Sequence, residues 1–162
     1  MFISLLVSVF FYVLISLLEC VGSLAQKKQV CVTSLQNRDV DTMTGVEFER
    51  YCINLLVKTG RFNRAQMTDV TNDYGADIVA VDNEGIRWVF QCKRYSSNLN
   101  NRPIQEVIAS MAHYKATKAA VITNSWFTDN AKVLGRENGV WLIDRAGFKK
   151  LEEQAKCERH PA

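Results

Sequence analysis

Asp77, Gln91 and Lys93 are an acid, an amide and a base on two short runs of strand character, 76–82 and 86–93. The runs are joined by Asp82-Asn83-Glu84-Gly85-Ile86, and a three-residue loop ending in a left-handed glycine is a favoured hairpin connection. With Asp82 paired to Ile86, Asp77 faces Gln91 and Val79 faces Val89. Side chains alternate along a strand and opposed residues share a face, so Asp77, Gln91 and Lys93 converge on one patch. Ile78, Ala80, Ile86, Trp88, Phe90 and Cys92 take the other face and read as core. Charges held in a sheet carry a large desolvation cost unless they are paired. Two arrangements offset it. One is a structural Asp77–Lys93 ion pair. The other is a metal-ion site, in which Asp77 and the Gln91 oxygen hold a hard divalent cation while Lys93 acts on the attacking water and on the charge of a phosphate.

The elements needed to hold that patch are legible around it. Apolar Phe48, Cys52, Leu55 and Leu56 recur at helical spacing between Thr44 and Thr59. Thr42 or Thr44 caps this helix, Glu47 sits in its first turn where the dipole favours an acid, and Gly60 stops it. Strand character follows at 66–71, 76–82 and 86–93. A loop, 94–102, leads to Pro103, placed to open a helix to Lys115. Residues 118–124 read as a buried strand, 128–137 as a helix, 140–144 as a short strand and 146–156 as a final helix. The order α-β-β-β-α-β-α-β-α predicts an α/β sandwich around a mixed central sheet.

A length of 162 residues accommodates one domain and an appendage. With 48% hydrophobic and 23% charged residues and only two prolines, the chain is neither disordered nor collagen-like. A net charge of +3 permits an anionic partner without demanding one. The five cysteines, Cys20, Cys31, Cys52, Cys92 and Cys157, are odd in number and lack C-x-x-C spacing, and His113 and His160 complete no ligand set. Neither a zinc site nor a disulfide scaffold is expected, and the thiols read as reduced in a cytosolic setting.

Residues 1–18 carry no charge. As a helix they would span about 27 Å, close to the hydrocarbon core of a bilayer, and they are apolar all round. A cleaved secretory signal would need a basic leader, which is missing; the first positive charges are Lys27 and Lys28. The positive-inside tendency then places the rest of the chain in the cytoplasm. The expected organisation is a transmembrane anchor at 1–25, a linker at 26–41, a globular domain at 42–156 and a tail at 157–162, as a single-pass protein of the inner (cytoplasmic) membrane.

Several stretches carry a resemblance to a known family: Thr44-Gly45-Val46-Glu47-Phe48-Glu49, Asp73-Tyr74-Gly75-Ala76-Asp77-Ile78 and Gln91-Cys92-Lys93-Arg94-Tyr95. Ile104-Gln105-Glu106-Val107, Val121-Ile122-Thr123-Asn124 with Phe127-Thr128, and Leu142-Ile143-Asp144 come after them in the same order. From Thr44 to about Leu151 the chain resembles the catalytic domain of the Mrr-type restriction endonucleases, within the PD-(D/E)XK nuclease superfamily. The resemblance implies a restriction-endonuclease-like three-layer sandwich with a mixed central β-sheet, joined here to one N-terminal hydrophobic helix. It further implies a Mg²⁺-dependent cut in a DNA phosphodiester, with Mn²⁺ as a substitute. DNA, the membrane and a second copy of the chain are the expected partners, with no small-molecule cofactor. Asp77 carries over as the metal-binding aspartate, Gln91 in place of the superfamily's usual Asp or Glu, and Lys93 as the catalytic lysine. Glu47 carries over as the helix-borne acid that reaches the metal, directly or through water, and Gln105 as an accessory, DNA-binding position. Glu49, on another side of the helix, is the alternative to Glu47, which fits the family register better. Ala76 stands where the superfamily has proline. Gln91 is neutral, so the site should hold metal more weakly than two carboxylates would, although the Mrr-type branch commonly has glutamine here.

Arg94, Arg102, Arg61 and Arg64 are candidate phosphate contacts beside Lys93, and Arg94 adjoins the patch. Tyr95, Asn98, Asn100 and Asn101 form a polar loop that either contacts DNA or is simply flexible. Trp126 and Trp141 read as packing residues rather than base-stacking ones, and His113 as structural or surface. No helix-turn-helix or zinc finger offers a reader of sequence or methylation. The expected function is a membrane-tethered, metal-dependent DNA endonuclease. The alternative is a nuclease-like module that binds DNA or a protein without turnover.

Overall fold

Asp39 caps a turn of 3-10 helix, Val40–Thr42, which opens the described part of the chain. The computed structural model describes residues 39–68 and 74–157. Helix α1, Gly45–Lys58, begins on a capping box: Thr44 Oγ1 accepts from the Glu47 amide, and the Glu47 carboxylate accepts from the Thr44 amide at 2.9 Å. Its buried stripe is Phe48, Cys52, Leu55 and Leu56, as the spacing predicts.

Strand β1 runs Phe62–Met67, four residues ahead of the expected strand at 66–71. Phe62 explains the early start. It is buried edge-on against Trp88 and Phe90, so pairing begins as soon as the chain leaves Gly60. A bulge between Phe62 and Arg64 then breaks the two-residue alternation on which strand reading depends. Strands β2, Ile78–Asp82, and β3, Arg87–Lys93, form the expected hairpin in the expected register, with Ile78 opposite Phe90 and Val79 opposite Val89. Gly85 in its loop has φ +80°, the left-handed conformation the turn requires.

Helix α2, Arg102–His113, leads to β4, Lys118–Thr123; helix α3, Asp129–Glu137, leads to β5, Trp141–Ile143; helix α4, Arg145–Cys157, ends the described chain. The strand order is β1-β2-β3-β4-β5, antiparallel up to β3 and parallel beyond it. One face of the sheet packs on α1 and α4, where the Phe48 and Phe148 rings stack at 5.6 Å and Tyr51 donates to Glu152 at 2.6 Å. Val89 and Val121, on the other face, pack with Ile104 and Val107 of α2 and Ala131 of α3. This is the three-layer sandwich with a mixed sheet. The expected membrane anchor lies outside the described residues, and among the described residues no helix is long and apolar enough to cross a membrane.

Candidate active site

Asp77 stands just before β2 and already belongs to the ladder. Its amide donates to the Phe90 carbonyl at 2.8 Å, and its carbonyl accepts from the Thr68 amide at 3.0 Å. The patch therefore lies within the sheet and not on its edge, because β1 pairs outside β2 and β4 pairs outside β3. Just ahead of Asp77, a β-carbon on Gly75 would lie 2.6 Å from the Glu106 carbonyl oxygen, and Gly75 has φ +88°. Only glycine lets the hairpin approach α2 this closely.

The Asp77 carboxylate accepts from Gln91 Nε2 at 2.5 Å and from the Cys92 amide at 2.6 Å through one oxygen. Gln91 is 1% exposed, and its Oε1 has no hydrogen-bond partner among the described residues. Two residues further on, where β3 reaches the end of the sheet, the Lys93 side chain is 27% exposed. Its Nζ lies 3.6 Å from Glu106 Oε2, and the other Glu106 oxygen takes Arg102 Nε at 2.9 Å. The fold brings Asp77 and Gln91 into contact, and Lys93 follows on the same face of β3 with Glu106 as its partner.

The two acids of α1 part ways. The Glu47 carboxylate accepts from both the amide and the hydroxyl of Thr44, at 2.9 and 3.0 Å, so its position serves the helix start. Glu49 is felt at β3. Burial pushes the Cys92 thiol well above its ordinary pKa, its contact with Cys52 adds to this, and the negative charges of Asp77 and Glu49 raise it further. Cys52 on α1 and Cys92 on β3 are in contact, and the charge of Glu49 reaches that thiol, while the Glu47 carboxylate is bonded at the helix start.

Gln105 is exposed on α2, and its neighbour Glu106 is the residue that meets Lys93. The Arg102–Glu106 spacing, one helical turn, was the available signal. Arg102 is engaged in that pair, and Arg61 lies over the rings of Phe62, Trp88 and Trp141. Arg64 is exposed on β1. His113 stacks on Tyr74 at 3.9 Å. Trp141 packs edge-on against Trp88, as expected, whereas Trp126 is 47% exposed and does not pack away.

A polar network beside the patch escaped sequence reading. Arg145 forks onto Asp41 at 2.9 and 2.6 Å and donates to the Asn124 carbonyl at 2.7 Å. Asn124 donates to Asp41 at 2.7 Å and accepts from the Tyr95 amide at 2.8 Å. Arg94 Nη1 donates to the Asp41 carbonyl at 3.1 Å. The Arg145 guanidinium, followed by the Asn124 amide, holds the Asp41 carboxyl down to about 2. Asp41, expected at the end of a linker, is built into the domain.

Among the described residues no group of three His, Cys, Asp or Glu stands ready for a metal. The donors at the patch are instead a carboxylate, Asp77, and an amide oxygen, Gln91. Hard oxygens suit a hard divalent ion, and a buried, unpartnered Oε1 is an oxygen that such an ion would satisfy. The residues fit the group.

Three solved structures share the fold. A protein of unknown function, AF1548, is 19% identical with a TM-score of 0.57, over 67% of this chain and 65% of its own. The MspJI restriction endonuclease, solved with a 27-mer oligonucleotide, is 15% identical with a TM-score of 0.55, over 84% of this chain and 33% of its own. AspBHI, a DNA modification-dependent restriction endonuclease, is 14% identical with a TM-score of 0.56, over 80% and 36%. The chain thus spans about a third of the length of these two enzymes. None of the curated proteins matches it. The restriction endonuclease family of the Mrr catalytic type matches residues 40–151, well over half of the sequence, in the segment that forms the sandwich and carries Asp77, Gln91 and Lys93. The chain belongs to that family.

Proposed function

We propose that the chain is a metal-dependent DNA endonuclease, using Mg²⁺ or Mn²⁺ to hydrolyse phosphodiester bonds in restriction or DNA processing. In this reading its N-terminal segment tethers it to the inner membrane, with the sandwich on the cytoplasmic side. The observation that carries the reading is the Asp77–Gln91 pair in the middle of a sheet, with Gln91 Oε1 buried and unpartnered, in a domain of a nuclease family. Asp77 and Gln91 are the residues that would hold the ion, with Glu47, or Glu49 as its alternative, as the acid supplied by α1. Once bound, a divalent cation supplies Lewis-acid stabilisation of the charge that builds on the phosphate. Lys93 adds a second positive charge from the same face, exchanging Glu106 for a phosphate oxygen of the substrate. With an ion beside Asp77, Gln91 would turn its amide about a soft terminal torsion so that Oε1 replaces Nε2 on that side. One such site cuts one strand, so a double-strand break calls for a second copy of the chain.

Purified full chain incubated with plasmid, modified and branched DNA should cut in Mg²⁺ or Mn²⁺ and not in EDTA. Lys93→Ala should abolish cutting and leave DNA binding without metal only modestly weaker, as one phosphate contact among several. DNA binding with no cleavage of any of these substrates in either metal would establish the alternative, a binding module.

A further inference from the structure

The parallel strands β3, β4 and β5 all end on one cavity of about 430 Å³. The carboxyl ends of parallel strands are where open α/β sheets take their ligands, and this volume lies within the range of small-molecule sites, about 300–1,000 Å³. The floor is fixed and its charges are matched: Arg145 forks onto Asp41, and Asn124 is tied at both ends of its amide. Arg94 is the lining cation that makes no ion pair among the described residues. Its Nη1 holds the Asp41 carbonyl, and its Nε is buried without a hydrogen-bond partner among the described residues. Tyr95 and Trp126 also line the cavity, and they are 50% and 47% exposed. Two exposed aromatic side chains lining one cavity with a guanidinium are a means of holding a planar base and its phosphate.

The cavity adjoins the chemistry along the chain. Arg94 follows Lys93 directly, with α-carbons about 3.8 Å apart, and their side chains leave the chain on opposite sides, Lys93 to Glu106 and Arg94 to Asp41. We propose that the cavity is a subsite for one unpaired nucleotide of the DNA strand that lies on Lys93, its base stacked on Trp126 and Tyr95 and its phosphate on Arg94. This rests on the nuclease reading for the choice of DNA as ligand. A paired base cannot enter, because the cavity takes one nucleotide and its partner strand would have to follow. The domain therefore favours single strands, flaps and junctions over intact duplex.

Tryptophan emission of the full chain in EDTA reads the subsite without any cleavage, because Trp88 and Trp141 are packed and Trp126 is not. Short single-stranded oligo(dT) should quench this emission, and Trp126→Phe should remove most of the quenching. Trp126→Ala and Tyr95→Ala should each weaken oligo(dT) binding by about tenfold, the scale of one base–aromatic stack, with unchanged circular dichroism. Arg94→Gln should lower the slope of log affinity against log salt by about 1. Equal affinity for free dTMP would make the cavity a nucleotide site unconnected with DNA and overturn the proposal. Equal binding of blunt duplex, or undiminished oligo(dT) binding by Trp126→Ala, Tyr95→Ala and Arg94→Gln alike, would overturn it too. Quenching by a protein that cuts nothing supports the subsite and removes only the nuclease reading, whereas cutting with no quenching removes only the subsite.

Discussion

Asp77 and Asp82 stand at the two ends of β2, on opposite faces, and their surroundings have little in common. Asp82 is saturated by its own turn. One oxygen accepts from the amides of Glu84 and Ile86 at 3.0 and 2.9 Å, and the other from the Trp88 indole at 2.8 Å. Burial alone would raise its pKa, but these donors outweigh it and the net shift is downward. Every one of them is rigid and local. Asp77 has one fixed donor, the Cys92 amide, and otherwise leans on a side-chain amide that keeps an unpartnered oxygen, with Lys93 on the same face. A carboxylate enclosed by fixed donors holds a turn together. One that faces a rotatable amide and a lysine is arranged for something that comes and goes.

Exchanging the two for alanine should separate these roles most sharply. Asp77→Ala should lower cleavage by about a thousandfold or more, the scale lost with a group that stabilises transition-state charge, and leave the melting temperature unchanged or higher. Asp82→Ala should do the reverse: the melting temperature falls by about 5 °C or more while the folded fraction cuts normally. Paired kinetics and thermal melts of both variants decide it, and loss of activity without loss of stability in Asp82→Ala would break the comparison.

A smaller effect is expected from Gln91→Glu. Without metal, two carboxylates then face each other and should lower the melting temperature at neutral pH. Mg²⁺ or Mn²⁺ should raise it by more than in the wild type, and not at all in Asp77→Ala. Melts in EDTA and in each metal measure this, and the same metal response in all three proteins would place the ion elsewhere.

The smallest effect is on pH dependence. Asp82 and Asp41 both have lowered folded-state values, Asp41 from 3.8 to about 2, so the unfolded chain binds their protons more readily. Their contribution to stability is complete above the unfolded value and fades as pH falls toward 2. Urea midpoints between pH 6 and pH 2 should show the decline, and Asp41→Asn should flatten it at the acid end. A midpoint that holds steady across that range would remove both carboxylates from the stability of the fold.

What the sequence disclosed was local. The hairpin register was legible because a three-residue loop ending in glycine fixes which side chains oppose, and α1 because its cap and stripe lie within one segment. What it hid depends on distant partners. Strand alternation says nothing of whether β2 is an edge, since that depends on where β1 pairs, and the bulge after Phe62 conceals the start of β1. Helical spacing separates Glu47 from Glu49, but that the charge of Glu49 is felt at Cys92 depends on how α1 packs on β3. Nothing near Trp126 in the chain tells that it lines a cavity, because the walls come from three strand ends.

The hydrogen bond between Asp77 and Gln91 closes a loop of 14 residues, and the fork of Arg145 on Asp41 closes one of 104. Chain closure grows costlier in entropy with length, and local contacts form first. As the chain leaves the ribosome, the hairpin can assemble long before Arg145 has been made. The order of synthesis therefore separates two parts of the domain in time: the hairpin that carries Asp77 and Gln91 takes shape early, and the Asp41–Arg145 network is finished only when the two ends of the domain meet.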